Sequence, residues 1–548
     1  MSSPDTKTAF FRALMRNHQC LLFWVTIAAL LGGAYLLYAW VSYGIVGFPL
    51  DDAWIHQTYA RNLGTLGEWT FQRGEVSAGS TAPLWSILLA LGYRLGVPYL
   101  VWTYMLGIFV LGTTSWLAAR ISARLLPGNP FAAWVAGMAS VTQWQLVWAS
   151  ISGMETVLYA CLGLTLVYLA CSSRPASDSP QPAEGRRSEE FAHPEFLARR
   201  TKYFVAGLVG GLLVLTRPEG LLLVGLVALC VIWELRYNLR RLATLGGLLG
   251  LGVVLPLLPY LVFHLTTSGY PFPNTLYAKQ QEYRALLEMY PLGQRWLMVA
   301  TAALVGGQVL LLPGFLFAIW RVVLVAQRDN APERNPRGLT ILVLAGWWFA
   351  HLTLYALQLP LTYQHGRYQM PVLVAFLVVG VTGSVVLLDR FQRGTIRRLL
   401  ERTILIAGAV TNLTFLVLGA QAYAHDVGFI EGEMVATARW LAANTSEESL
   451  IAVHDIGAVG YFAERRLIDL AGLITPQIIP IMDDEQALLR FVEAKKCDYI
   501  VFFPDWSPAY RRMAQDSRLE QVFSSGHAWT RAQGRENMTV YRLQRRSP

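Results

Sequence analysis

Two adjacent carboxylates, Asp51 and Asp52, directly follow the first long apolar segment, in the stretch FPLDDAWIHQTYARNLG. Carboxylates at such a place are able to act as general bases on a hydroxyl group, or to hold a divalent cation. Apolar residues then recur at helical spacing from Ile55 to Leu66, which predicts an amphipathic helix lying on the outer membrane surface. We expect the pair at the N-terminus of that helix, where ordinary capping is the structural alternative.

A second candidate is the segment LTRPEG, from Leu215 to Gly220, which joins two short apolar halves on the predicted outer side. Pro218 breaks the helix there and leaves Arg217 at the depth of the membrane interface. The planar guanidinium binds phosphate oxygens in pairs, so Arg217 is a candidate ligand of a lipid phosphate. A structural ion pair between Arg217 and Glu219 is the alternative.

Further polar residues gather in stretches that we also expect at the outer surface. Glu155, in SGMET, begins an apolar span and either binds substrate or stabilises a helix N-terminus. Aromatic rings beside cations are typical of sites for phosphorylated sugars, although an aromatic belt with anchoring cations has the same composition. The candidate binding residues of this kind are Asn274, Tyr277 and Lys279 in YPFPNTLYAKQ, and His365, Arg367 and Tyr368 in TYQHGRYQMP; Arg61 in the first loop is a further polar candidate. His454 and Asp455, in AVHDIGAVGYF, end a predicted strand, where polar residues are often functional and an Asx turn is the alternative.

The composition indicates that the protein carrying these residues is a membrane protein. The chain has 548 residues, of which 54% are hydrophobic and 15% charged, whereas a soluble domain carries about a quarter charged residues. Its five cysteines have no paired spacing, so neither a disulfide framework nor a zinc site is predicted. The net charge of +9 follows from basic loops between apolar runs, and no nucleic-acid partner is expected.

The apolar runs predict about eleven membrane-spanning helices in a mostly α fold, at 20–44, 98–119, 131–149, 154–171, 203–216, 221–236, 242–265, 296–324, 339–358, 371–389 and 403–424. With the N-terminus in the cytoplasm, the inner loops and tail collect 23 Lys and Arg residues, and the outer loops hold 8. This asymmetry predicts a multi-pass protein of the cell (plasma) membrane whose C-terminal domain is extracytoplasmic. The short apolar segment 82–96 is predicted to lie at the outer face without spanning.

Two domains are expected. Residues 1–424 form the membrane domain, with a first outer loop at 45–97 that carries amphipathic helices and a mobile cytoplasmic linker at 172–202. Residues 425–548 alternate helical and strand patterns and predict a small extracytoplasmic α/β domain, with strands at 449–453, 498–503 and 538–543. No nucleotide-binding glycine motif is present in that domain.

Rival classes make different demands on the sequence. A transporter or flippase for a lipid-linked glycan is the main alternative, but it predicts internal repeats and polar groups at the middle of the membrane, which the sequence lacks. A sensor or scaffold would leave Asp51, Asp52 and the aromatic loops without a purpose. A transferase that uses another lipid-linked group stays open.

Taken together, these motifs resemble the GT-C superfamily of membrane glycosyltransferases, and most of all its polyprenyl-phosphate-sugar-dependent, arabinofuranosyltransferase-like enzymes. The resemblance runs from residue 50 to about 470, over DDAWIHQTYARNLG, FQRGEVSAGSTAPLW, SGMET, LTRPEG, PFPNTLYAK, HGRYQMP and HDIGAVGYF.

The resemblance implies an inverting transfer of a sugar from a polyprenyl-phosphate donor, held beside membrane lipid, to a cell-envelope glycan, a lipid or another extracytoplasmic acceptor. The carboxylate that follows the first span in this family corresponds to Asp51 and Asp52, of which we favour Asp51 as the general base. Arg217, Arg367 and Lys279 would hold the charge of the departing phosphate. No cofactor is required, and a divalent metal is compatible with two carboxylates although no ligand cluster demands one.

Overall fold

The computed structural model describes residues 19–171, 194–271, 273–328, 336–391 and 394–544. The predicted basic N-terminal tail and residues 172–193 of the predicted linker lie outside these ranges. We call the described part of residues 19–430 the membrane domain, and residues 431–544 the C-terminal domain.

Helices make up nearly all of the membrane domain. They are α1 (Gln19–Tyr43), α2 (Asp52–Leu66), α3 (Pro83–Arg94), α4 (Tyr99–Leu125), α5 (Pro130–Val141), α6 (Trp144–Ser150), α7 (Thr156–Ala170), α8 (Pro194–Thr216), α9 (Gly220–Leu235), α10 (Leu239–Thr267), α11 (Asn274–Glu282), α12 (Arg284–Met289), α13 (Leu292–Ala303), α14 (Leu312–Arg328), α15 (Pro336–Gln358), α16 (Leu373–Leu388) and α17 (Thr395–Ile430). A short hairpin of β1 (Thr70–Gln72) and β2 (Glu75–Val76) separates α2 from α3.

Within the described ranges, seven helical stretches are long and apolar enough to cross a membrane. They are Leu21–Tyr43, Tyr99–Leu125, Leu239–Thr267, Gly307–Val325, Pro336–Gln358, Tyr363–Leu388 and Thr395–Asn444, and α5, α7 and α9 are shorter apolar helices. The predicted mostly α, multi-pass fold is confirmed, while the count of eleven spans stays a prediction.

Small residues let the membrane helices approach closely. A methyl group at Gly383 of α16 would overlap the carbonyl oxygen of Gly314 of α14, so the two backbones touch at this crossing. Close backbone approach through small residues is a main source of helix association where lipid surrounds the helices. Here it brings α16 against the bundle just beyond the segment that carries Arg367.

The first loop, residues 44–98, contains the two carboxylates and is packed inside the protein. Helix α2 begins at Asp52 and packs closely against α3. A methyl group at Gly64 of α2 would lie 2.7 Å from the carbonyl oxygen of Ala90 of α3. Ile55 and Tyr59 are buried, and Trp54 packs on the rings of the C-terminal domain. Protein covers most of α2, since periodicity reveals an apolar face but not what covers it; where the helix lies relative to the membrane stays a prediction.

Helix α3 has 12 residues, which corresponds to about 18 Å of helix against a hydrocarbon core of about 30 Å. It is too short to cross a membrane alone, in agreement with the prediction for segment 82–96.

The C-terminal domain is built on a five-stranded mixed sheet. After a π-helical turn at Glu431–Val435 come α18 (Ala436–Asn444), β3 (Leu450–Val453), a helical segment over Ile456–Ala458 and Val459–Ala463, β4 (Arg466–Asp469), α19 (Glu485–Ala494), β5 (Tyr499–Phe502), α20 (Pro508–Met513), β6 (Leu519–Ser524), α21 (Ala528–Ala532) and β7 (Thr539–Leu543). The strand order is β4-β3-β5-β7-β6. Strands β3, β4 and β5 run parallel, and β7 is antiparallel to its neighbours β5 and β6. The carboxyl ends of the three parallel strands therefore meet at one edge, which contacts the first loop.

Candidate active site

Asp51 is bound by the C-terminal domain. Its Oδ2 accepts the backbone N–H of Gly457 at 2.7 Å and its Oδ1 accepts that of Ala458 at 2.8 Å. A methyl group at Gly457 would overlap the carbonyl oxygen of Asp51, so only glycine permits this approach. Burial, followed by the charge of Asp455, raises the pKa of Asp51 to about 8 although both backbone bonds lower it. The Asp51 side chain makes no capping bond to α2 and instead binds the backbone of the C-terminal domain.

Asp52 points to a different set of partners. Its Oδ2 accepts a hydrogen bond from Nη2 of Arg367 and lies 3.7 Å from Nζ of Lys279. Burial raises the pKa of Asp52, but the positive charges of Arg367 and Lys279 lower it more, to well below its usual range. Asp52 is therefore a carboxylate paired with two cations.

Tyr368 ties the two cations together. Its hydroxyl accepts a hydrogen bond from Nζ of Lys279 at 2.8 Å and one from Nη2 of Arg367 at 2.8 Å. Arg367 is 2% exposed, and its Nε and Nη1 have no hydrogen-bond partner among the described residues. An unsatisfied buried donor costs about 1–3 kcal/mol, and more when it is charged, so these two groups mark a place for an anion.

Arg217 belongs to a second buried ion cluster on the same side. Its Nε donates to Oε1 of Glu155 at 2.5 Å, and its Nη1 lies 3.7 Å from Oε1 of Glu219. Oε2 of Glu155 lies 3.4 Å from Nε2 of His56, and the Tyr355 hydroxyl donates to Glu219. Since Glu155 makes no side-chain capping bond to α7, its partner is Arg217 rather than a helix N-terminus.

Two cavities meet at Asp52. One, of about 320 Å³, has walls of Ile55, Met154, Leu221, Leu276 and Leu354 and contains Arg217, Lys279 and Arg367; we call it the apolar cavity. The other, of about 560 Å³, reaches the sheet edge and is lined by Glu282, His454, Asp455, Asp483, Trp506 and Tyr510; we call it the polar cavity. Asp52, Ile55, Lys279, Arg367 and Leu473 line both cavities, whereas Asp51 lines the polar one.

The backbone just before Arg367 is left-handed. Gln364 has φ 53° and ψ 47°, and His365 has φ 61° and ψ 22°, followed by Gly366 with φ 72°. Nε2 of His365 lies 2.7 Å from Oδ2 of Asp426, so this predicted site residue faces the last membrane helix and lines neither cavity.

The remaining predicted residues divide between the site and its surroundings. His454 and Asp455 lie at the end of β3, in the wall of the polar cavity, with Nδ1 of His454 3.4 Å from Oδ2 of Asp455. Asn274 donates to the carbonyl of Leu473 at 3.4 Å and supports the cavity wall. Tyr277 packs on Tyr270, and Arg61 donates to the carbonyl of Tyr461 and to Glu464, so both are away from Asp52.

Three residues near the site were not predicted. His56 is four positions after Asp52 on the same face of α2, a spacing that could have indicated it. Tyr355 likewise follows His351 by four positions on one helix face. Nε2 of His351 lies 2.8 Å from the carbonyl oxygen of Tyr368. No pattern in the sequence indicates Asp426, because only folding brings it close to His365.

The carboxylates do not fit a divalent metal well. Both oxygens of Asp51 accept backbone N–H groups, and Oδ2 of Asp52 already pairs with two cations. Among the described residues there is no group of three or more His, Cys, Asp and Glu side chains that could hold an ion.

Comparisons with known proteins bear on the fold. A family model described as a domain of unknown function (DUF8728) matches residues 421–541, and no curated protein has a sequence that matches the chain. ArnT from Cupriavidus metallidurans bound to undecaprenyl phosphate is similar in structure, with a TM-score of 0.56 and 15% identity over 94% of this chain and 97% of that chain. The Archaeoglobus fulgidus oligosaccharyltransferase AglB, in complex with an inhibitory peptide and a dolichol-phosphate, has a TM-score of 0.58 and 11% identity over 93% of this chain and 73% of that chain.

These solved structures are members of the GT-C superfamily, and the chain has the GT-C fold. The predicted resemblance to this superfamily is confirmed at the level of the fold. A mycobacterial arabinofuranosyltransferase, AftD, is also similar, with a TM-score of 0.45 and 15% identity over 94% of this chain and 40% of that chain; this likeness is too low to carry an argument about the sugar.

Proposed function

We propose that this protein is a membrane glycosyltransferase that moves a sugar from a polyprenyl-phosphate donor to a hydroxyl group of an extracytoplasmic acceptor. The observation that carries the proposal is Arg367, which lines the apolar cavity and whose Nε and Nη1 are buried without hydrogen-bond partners among the described residues. Buried N–H donors on a cation favour an anion such as a phosphate, and the apolar walls of the cavity suit an isoprenoid chain.

The similar structures support the same ligand chemistry. The ArnT structure contains undecaprenyl phosphate, and the AglB structure contains a dolichol-phosphate together with an inhibitory peptide. The two cavities that meet at Asp52 in this chain would give a lipid-phosphate donor and an acceptor separate places.

We assign the general base to Asp52 rather than to Asp51. A base must reach the acceptor hydroxyl while that hydroxyl attacks the donor sugar, and Asp52 lines both cavities. The oxygens of Asp51 are engaged by Gly457 and Ala458, which suits a residue that positions the C-terminal domain. The raised pKa of Asp51 would suit a base, but its two backbone bonds argue for a fixed structural carboxylate.

Donor binding would prepare Asp52 for this role. Arg367 and Lys279 keep the pKa of Asp52 low, so that it is by itself a poor proton acceptor. A donor phosphate that binds the same two cations neutralises much of their charge, and the pKa of Asp52 then rises towards its usual value. Base strength is in this way coupled to the presence of donor.

The reaction follows from the positions of the groups. The acceptor hydroxyl attacks the anomeric carbon from the side opposite the phosphate, Asp52 takes its proton, and the C–O bond to the phosphate breaks with inversion. Arg367, Lys279 and Arg217 hold the charge that develops on the leaving polyprenyl phosphate. The acceptor, a glycan, lipid or protein, enters the polar cavity beside Trp506 and Tyr510.

We also propose the membrane orientation that the sequence predicts. A cytoplasmic N-terminus and an extracytoplasmic C-terminal domain in the plasma membrane place the polar cavity on the side where envelope acceptors are found, in keeping with the distribution of Lys and Arg.

The test is transfer by the purified protein in nanodiscs, supplied in turn with radiolabelled polyprenyl-phosphate arabinose, mannose, glucose and galactose and with crude envelope glycans as acceptor. We expect label to leave one donor with the unsubstituted protein and not with Arg367→Gln. The matched control is Arg284→Gln, which should transfer normally. Arg284 is exposed and pairs with Glu288, one turn further along the same short helix. No transfer and no undecaprenyl phosphate binding by the unsubstituted protein would refute the proposal.

A further inference from the structure

We propose that Asp426 and His365 are positioning residues for the phosphate-binding Arg367, because they hold the strained turn from which Arg367 extends. The inference rests on the proposed function, since it concerns the arginine assigned to the donor phosphate. Neither residue lines the apolar or the polar cavity, and both act through the backbone of residues 364–366.

The turn adopts a conformation that its sequence does not favour. Gln364 and His365 both have positive φ, at 53° and 61°, and only Gly366 adopts this region without cost. Successive left-handed residues bring Cβ close to the following carbonyl oxygen, so surrounding contacts must hold such a turn in place. Residues of this kind are often found where a functional group is fixed.

The contacts that hold the turn converge on His365. Its ring lies between Trp144 and Trp148, with ring centroids 5.6 and 5.4 Å away and near-perpendicular planes. Its Nε2 lies 2.7 Å from Oδ2 of Asp426, and the same oxygen accepts a hydrogen bond from Nε1 of Trp148 at 3.0 Å. The buried amide of Gln145 donates to the carbonyl of His365 at 2.8 Å.

The turn sets the origin of the Arg367 side chain. The backbone N–H of Arg367 donates to the carbonyl of Gln364 at 3.2 Å, which closes the turn on the arginine itself. From there the guanidinium reaches Asp52 and the Tyr368 hydroxyl. If residues 364 and 365 relaxed to an ordinary conformation, the Cα of Arg367 would move and these contacts would be lost.

Asp426 also connects the phosphate site with the rest of the protein. It belongs to α17, which runs on through the π-helical turn into the C-terminal domain. The position of that helix is therefore transmitted to the turn before Arg367 by the contact of Asp426 with His365, together with the rings of Trp144 and Trp148.

The experiment measures the affinity for undecaprenyl phosphate in nanodiscs for four proteins: the unsubstituted chain, Asp426→Ala, Gln364→Gly and the double variant. We expect Asp426→Ala to weaken binding about ten-fold or more, because Arg367 loses its fixed origin. Glycine at 364 adopts positive φ freely, so the loss caused by Asp426→Ala should be at least about three-fold smaller in the Gln364→Gly background.

The control is His425→Gln, one residue away on the same helix, where the ring contacts Tyr43 and Trp529 instead of the turn. It should bind undecaprenyl phosphate as the unsubstituted protein does. If Asp426→Ala does not fold, Asp426→Asn replaces it in the same comparison, because asparagine keeps an oxygen that accepts the hydrogen bond from Trp148.

An unchanged affinity of the Asp426 variant, or an equal loss in both backgrounds, would overturn the inference. A similar loss for His425→Gln would do the same, because the effect would then be general to the helix. If the unsubstituted protein did not bind undecaprenyl phosphate at all, the proposed function itself would fail.

Discussion

The carboxylate of Asp51 accepts the backbone N–H of Gly457 at 2.7 Å, across 406 positions of the chain. This bond connects the first loop of the membrane domain to the helical segment that follows β3. Asp52, the next residue, turns instead towards Arg367 and Lys279. Successive residues at a helix start point about 100° apart, so adjacent carboxylates serve different partners.

The two carboxylates should respond differently to the same substitution. We expect Asp52→Asn to lower the turnover number for transfer about 10²-fold or more while undecaprenyl phosphate still binds, because the general base is lost and the cations stay. Asp51→Asn should mainly destabilise the protein, by about 1–3 kcal/mol, since an amide leaves a backbone N–H of Gly457 or Ala458 without an acceptor. Transfer rates and thermal unfolding of both variants separate these effects. Full activity of Asp52→Asn would return the role of base to Asp51.

The approach of Gly457 to Asp51 leaves no room for a side chain. A methyl group there would overlap the Asp51 carbonyl and lie 2.6 Å from Oδ2, so Gly457→Ala should cost about 1–3 kcal/mol and reduce transfer. Gly250→Ala on α10 is the control, because no atom lies within 4 Å of the added methyl group. Thermal unfolding and limited proteolysis between the domains provide the measurement. Equal stability of the two variants would contradict the close contact.

Stability should depend on pH through His454. Burial lowers the pKa of His454, but the charge and hydrogen bond of Asp455, helped by Glu282 and Asp469, raise it to about 9. A pKa raised on folding contributes stability that is present below about 6.5 and is lost as the pH rises through about 9. His454 should therefore contribute a loss of roughly 1–3 kcal/mol between these pH values in thermal unfolding, and the stability of His454→Gln should fall less steeply over the same range. Identical pH profiles for the two proteins would show that this pair does not contribute.

Removal of divalent metals with EDTA should leave transfer unchanged. Arg367 and Lys279 already supply positive charge at Oδ2 of Asp52, and the Asp51 oxygens are engaged by backbone groups. The measurement compares transfer before and after chelation, with Mg²⁺ and Mn²⁺ added back. Activity that is lost with EDTA and returns with either ion would contradict this assignment.

Local patterns were sufficient to predict much of the fold. Strands predicted at 449–453, 498–503 and 538–543 correspond to β3, β5 and β7, which are apolar and central in the sheet. Strands β4 and β6 were missed because they form the two edges, and β6 is short of buried residues. Edge strands carry polar side chains, which weakens the pattern by which strands are recognised.

The sequence by itself determined the kind of residue available for chemistry and the membrane setting, since apolar runs, basic loops and the motifs around Asp52, Arg217 and Arg367 are local properties of the chain. Tertiary structure alone decided which carboxylate faces both cavities, that Glu155 pairs with Arg217, and that Asp426 supports the turn before Arg367. The physical reason is that periodicity specifies which face of a helix is apolar but not which distant element covers it. Contacts between residues tens to hundreds of positions apart exist only once the packing of the whole chain has brought them together.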